Sequence, residues 1–115
     1  MNLSDTTLTQ IDTDEQFAKK TCQQLIREFN KIGIDLRINE STRDVNQLIH
    51  ELKLEIDAII SNASHLLAQL FYSIDLPEEK VNKALESEND VAESIAKAIL
   101  IRAAQKVYLR EKFSS

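Results

Sequence analysis

One glycine, one proline, one cysteine and no tryptophan stand among the 115 residues of this chain, and each scarcity closes off a class of chemistry. With Gly33 alone, no glycine-rich phosphate cradle or dinucleotide fingerprint can be built, because both need several positions where backbone closely approaches the ligand. The lone Cys22 excludes an internal disulfide framework and cannot make a thiolate metal site by itself, so a reduced cytoplasm is the expected setting. Six aromatic residues, four Phe and two Tyr, leave little on which unpaired bases would stack. No apolar stretch approaches the roughly 20 residues that span a bilayer. The start, MNLSDTTLTQIDTDEQ, is polar and acidic where a secretory signal needs a cationic beginning and an apolar run. No membrane contact is expected.

What the chain has in plenty is Leu, Ile, Ala, Glu, Lys and Gln, the composition of helices. Its length suits one domain with one core. Nineteen acidic and fourteen basic side chains leave a net charge of −5, which disfavours polyanions as partners of the whole surface. Any anionic partner needs a local basic patch.

Residues 1–12 have no clear hydrophobic period and are expected to form a flexible N-terminal tail, with residues 13–115 a single helical domain. At TDEQF, Thr13 and Gln16 have the spacing of a capping box that opens a helix. Ala18, Cys22, Leu25, Ile26, Phe29 and Ile32 follow as its apolar stripe, and Gly33 ends it in a left-handed conformation. IDLRI then alternates Ile34, Leu36 and Ile38 with Asp35 and Arg37, the period of a half-buried strand. A single strand cannot satisfy its own backbone, so this segment either packs as an extended connector or pairs with another copy or a partner.

Ser41 is positioned to cap the next helix, with Asp44 in its first turn; Val45, Leu48, Ile49, Leu52, Ile56, Ile59 and Ile60 form its apolar run. SNAS, residues 61–64, divides this run from a helix carrying Leu66, Leu67, Leu70 and Phe71. Pro77 fits the first position of a short fourth helix that turns Val81, Ala84 and Leu85 inward. Asp90 and Glu93 open the last helix as an acidic capping box. The fold class expected is therefore all-α: a compact bundle of about five helices with one short extended segment after the first.

The last helix raises the question of function. Its apolar residues spread around a wide arc, while Arg102, Lys106 and Arg110 recur every four residues and align as one cationic stripe. Residues 91–115 hold five basic and two acidic side chains, so the rest of the chain carries −8. The stripe can compensate the negative end of the helix dipole, pair with Glu78, Glu79 or Glu86 inside the fold, or dock an acidic protein surface. Three aligned cations would neutralise about three phosphates, which gives only weak, salt-sensitive binding to nucleic acid. A helix-turn-helix within residues 64–87 would have a recognition helix of the wrong sign, because Glu78, Glu79, Glu86 and Glu88 outnumber Lys80 and Lys83.

Catalytic groups are few. His50 and His65 sit on different predicted helices without a metal-binding spacing, and Cys22 lies on an inward stripe as a small hydrophobe. DTDEQ lacks the glycine and the final glutamate of a calcium loop, having Phe17 and Gln23 in those places. Glu78 and Glu79 are adjacent and point about 100° apart on a helix, so they do not form an acid–base pair. Convergence of His50 or His65 with Cys22 and an acid would revive an enzyme.

Two stretches, LLAQLFYSIDLPEEKVNKAL and IRAAQKVYLREKF, resemble segments of a group of short bacterial helical proteins with no assigned function. The resemblance rests on Leu70, Phe71, Tyr72, Ser73, Ile74 and Asp75, with Ser73 where a basic residue is common, and on Gln105, Lys106, Val107, Arg110 and Phe113. It implies a bacterial cytoplasmic helical domain and brings no activity or ligand.

The expected function is thus a small non-catalytic interaction module, without metal or cofactor, that binds another protein or a second copy of itself. Leu36, Arg102, Lys106, Tyr108 and Arg110 are the candidate partner-binding residues. The alternative is a weak nucleic-acid-associated regulator that uses the basic stripe.

Overall fold

Helices form where apolar spacing and local caps place them, with three boundaries displaced and one helix added. In a computed structural model that describes residues 3–41, 44–88 and 90–113, the chain runs α1 (Leu3–Thr13), α2 (Glu15–Asn30), α3 (Val45–Asn62), α4 (His65–Ile74), α5 (Glu78–Leu85) and α6 (Val91–Phe113). No described residue lies in a strand.

The added helix is α1. The tail expected over residues 1–12 is helical from Leu3 onward; Met1 and Asn2 lie outside the described residues. Ser, Thr and Asp are weak helix formers, so nothing local explains this segment. Its helix is held by tertiary contact: α1 packs on α2, α3 and α6, with Ile11 fully buried and Thr7 nearly so. Asp12 adds a long-range cap, its Oδ1 accepting the Val45 N–H at 3.0 Å. Asp44 Oδ1 accepts from Asn46 and Gln47 at 2.9 and 3.4 Å, so two carboxylates satisfy three orphan donors at the positive end of α3. Asp44, not Ser41, is therefore the N-cap. Asp12→Ala is expected to cost about 1 kcal/mol in urea unfolding; an unchanged midpoint and slope would show that the Asp12 cap contributes nothing.

The opening of α2 shifts similarly. Thr13 still belongs to α1 and donates to the Thr9 carbonyl at 3.0 Å, leaving Asp14 Oδ1 to accept the Phe17 N–H at 3.1 Å. At the other end Gly33 takes φ +81°, and a Schellman pair closes the helix: Gly33 N–H to Asn30 O at 3.0 Å, Ile34 N–H to Phe29 O at 3.0 Å. Residues 34–39 then run without helix or strand as a connector. Leu36 is buried, Ile34 and Ile38 are half-buried, and Asp35 and Arg37 face solvent.

The break at residues 63–64 falls where SNAS places it. Asp75, at φ 59°, ends α4 in the left-handed region, with the Leu76 N–H bonded back to Phe71 O at 3.0 Å. Pro77 stands just before α5 rather than inside it, and its carbonyl accepts from Lys80 and Val81. Leu85, expected to face inward, is exposed: α5 has its substantial contact with α6 alone, so only the Ala84 face is covered.

α6 is the axis of the fold and packs against all five other helices. Asp90 opens it, accepting the Glu93 N–H at 3.2 Å and pairing with Lys53 of α3. Eight of its residues are buried: Ala92, Ile95, Ala96, Ile99, Leu100, Ala103, Ala104 and Val107. The four alanines let neighbouring backbones approach closely, and the Ile, Leu and Val side chains fill the spaces between them. Val45, Leu48, Leu52, Ile56 and Ile59 of α3 and Phe17, Leu25 and Phe29 of α2 complete the core. The radius of gyration, 13.3 Å, is that of a compact chain of this length.

Candidate functional site

The cationic stripe of α6 is engaged by other helices of the fold. Arg102 donates from Nε to the Asp75 carbonyl at 3.1 Å and from Nη2 to Asp75 Oδ2 at 3.3 Å, holding the left-handed end of α4. Lys106 Nζ lies 3.3 Å from Glu28 Oε1 and 3.5 Å from the Ser73 carbonyl. Arg110 Nη1 donates to Gln24 Oε1 at 2.9 Å. The acids read as internal partners, Glu78, Glu79 and Glu86, are replaced by Asp75 and Glu28.

Glu28 is the residue that sequence reasoning missed. Its carboxylate is 0 % exposed, an unusual position for glutamate unless every lone pair is engaged. Oε1 accepts from Gln24 Nε2 at 2.8 Å and from Lys31 and Lys106 at 3.3 Å each; Oε2 accepts from the Ser73 hydroxyl at 2.8 Å. Gln24 Oε1 in turn accepts from Arg27 and Arg110. Burial pushes the Glu28 carboxyl up, but the Ser73 hydroxyl and the Lys106 and Lys31 ammoniums outweigh it and hold the group below the ordinary glutamate value. α2, α4 and α6 are joined through this one carboxylate. A signal existed: Phe17, Thr21, Gln24 and Glu28 follow one another at helical spacing on the buried side of α2.

The remaining candidate partner residues are also occupied. Leu36, read from sequence as a docking edge, is 4 % exposed and belongs to the core. Tyr108 is half-buried against the core, with Lys112 Nζ 5.7 Å from its ring centroid. Cys22 is fully buried, and desolvation, helped by Glu40 and Glu51, pushes its thiol up to about 11, which suppresses the reactive thiolate. His50 and His65 are both exposed and apart from it in burial. No cluster that would hold a metal ion occurs among the described residues.

A groove of about 330 Å³ lies between α5 and α6. These helices run in opposite senses, since Asp75 before α5 is tied to Arg102 and a short link joins the end of α5 to the start of α6. Leu76, Pro77, Ala84, Ala98 and Ile101 supply an apolar floor, with Ser94 and Gln105 at its ends; Lys80, Lys83, Lys97 and Arg102 supply the rim. Among the described residues no carboxylate lines it. Among the described residues no acid forms an ion pair with Lys80, Lys83 or Lys97, whereas Arg102 is shared with Asp75. Such a lining holds an anionic group beside apolar carbon. Of the candidate partner-binding residues read from sequence, only Arg102 belongs to it. The spacing was there to be read: Ser94, Lys97, Ala98, Ile101, Arg102 and Gln105 form a second seam on α6, at steps of three and four.

Comparison of the chain with protein-family models, curated proteins and solved structures finds no match to any.

Proposed function

We propose that this protein is a small non-catalytic interaction module that binds an acidic protein partner through the face shared by α5 and α6. The observation that carries the reading is the groove itself: four cations around an apolar floor, without a carboxylate, on a chain whose net charge is −5. Lys80, Lys83 and Lys97, to which no acid is paired among the described residues, remain available to an opposing surface, and complementary charge steers association and fixes register. Nucleic acid is disfavoured, because the three cations aligned for phosphates are engaged by Asp75, Glu28 and Gln24.

Capture from the native cytoplasm, with nuclease present and at two salt concentrations, tests this against a Lys83→Glu/Lys97→Glu variant. The expected result is an acidic protein retained in stoichiometric amount by the wild type, weakened by salt and lost by the variant. Recovery that disappears with nuclease would instead make the surface one for nucleic acid. Retention unchanged in the variant would remove the groove from the interaction.

A further inference from the structure

The groove runs along one face of α6 beside α5. α6 is packed by α1, α2, α3 and α4 as well as by α5, and the groove lies along its contact with α5. The seam from Ser94 to Gln105 covers three turns of α6, about 16 Å at 1.5 Å per residue. The facing wall on α5, from Pro77 to Ala84, covers about two turns. Two antiparallel helices with an apolar trough between them form the seat into which a third helix packs ridge into groove. Lys80 and Lys83 stand on one wall, Lys97 and Arg102 on the other.

Resting on the interaction reading above, we infer that the partner's docking element is a short, acidic, amphipathic α-helix of about three turns. One large apolar side chain inserts over Ala98 and Ile101. Carboxylates three and four residues to either side meet Lys80 and Lys83 on one wall and Lys97 on the other. Arg102 contributes less, because its guanidinium already serves Asp75. A free fatty acid or other small anion would fill the floor but leave the two rows of cations unmatched along the trough.

The absence of tryptophan from the chain makes a direct test available. The probe is a synthetic peptide of about twelve residues, apolar at helical spacing with one Trp as its central anchor and Glu on both flanks; its twin carries Lys in place of every Glu. Peptide emission then reports burial of the anchor without protein background. The acidic peptide is expected to bind with a blue shift, become helical, and move the amide resonances of Ala84, Ala98 and Ile101. Lys83→Glu/Lys97→Glu should weaken it at least about tenfold, the scale of one or two lost charge pairs. Folding of that variant is checked by its own amide spectrum, and Lys80→Gln gives a milder second case. Equal binding of both peptides, or resonance shifts confined to other helices, would overturn the inference. So would failure of the acidic peptide to bind while the captured native partner is still lost by the double variant; that outcome leaves the groove as the interaction surface and removes only the helical occupant.

Discussion

Lys106→Met will lower the unfolding free energy at neutral pH by about 3 kcal/mol, and most of that loss will vanish in acid. The substitution keeps the length and apolar stem of the side chain but removes the ammonium 3.3 Å from a fully buried carboxylate. Lys31 remains at the same distance, which holds the cost near the low end for a broken buried pair, but Lys31 is largely exposed and screened by water. In the wild type Glu28 ionises below its ordinary value of 4.5, so it stabilises the fold above that value and the contribution is lost as pH falls through the folded value. In the variant burial acts against a weakened set of partners, and the folded value rises. The difference between the two proteins is therefore largest at neutral pH and shrinks as pH falls through the wild type's folded value, below which Glu28 is protonated in both. Urea titrations at the two pH values measure it. A cost that is equal at both would show that Lys106 acts through its stem and not its charge. Pairing the substitution with Glu28→Leu should recover much of the loss, since an apolar pair leaves no buried charge behind.

Ile99→Ala is expected to cost between about 2 and 5 kcal/mol, toward the upper part of that range. Ile99 is fully buried on the helix that all the others share, so walls held from several directions cannot relax into the cavity. Leu109→Ala, on the same helix but 44 % exposed, should fall within about 0.5 kcal/mol. Similar midpoints for the two variants would mean that α6 is not the central element.

Much of the fold is legible because its punctuation is local. Gly33, Pro77, the SNAS break and Asp90 each act on backbone within a few residues, and each appears where its chemistry requires. The caps at Thr13 and Ser41 were displaced because an aspartate stands one residue or three residues further on, and a carboxylate near a helix N-terminus outcompetes a hydroxyl. α1 was not legible, since its helix depends on Ile11 meeting a surface that exists only after the rest has folded. Glu28 was hidden for a similar reason: its principal partner, Lys106, is 78 residues away, and a glutamate in a helix ordinarily faces water. The site divides along the same line. The stripe of Arg102, Lys106 and Arg110 was visible by its spacing, but whether it faces outward depends on Asp75, Glu28 and Gln24, which no periodicity connects to it. Lys80, Lys83 and Lys97 belong to one groove only because α5 folds back along α6.

The central position of α6 also orders events on the ribosome. Residues 91–113 are made after every helix they hold together, so until they leave the exit tunnel the stripes of α1, α2 and α3 lack the one helix that packs on all of them. A nascent chain ending before Val91 presents Phe17, Leu25, Leu48, Leu52 and Ile56 without the side chains that bury them. Such a chain is in the state that recruits chaperones and invites aggregation. Folding of these helices thus waits for α6, and a ribosome stalled before Val91 would carry an apolar surface rather than a partly finished bundle.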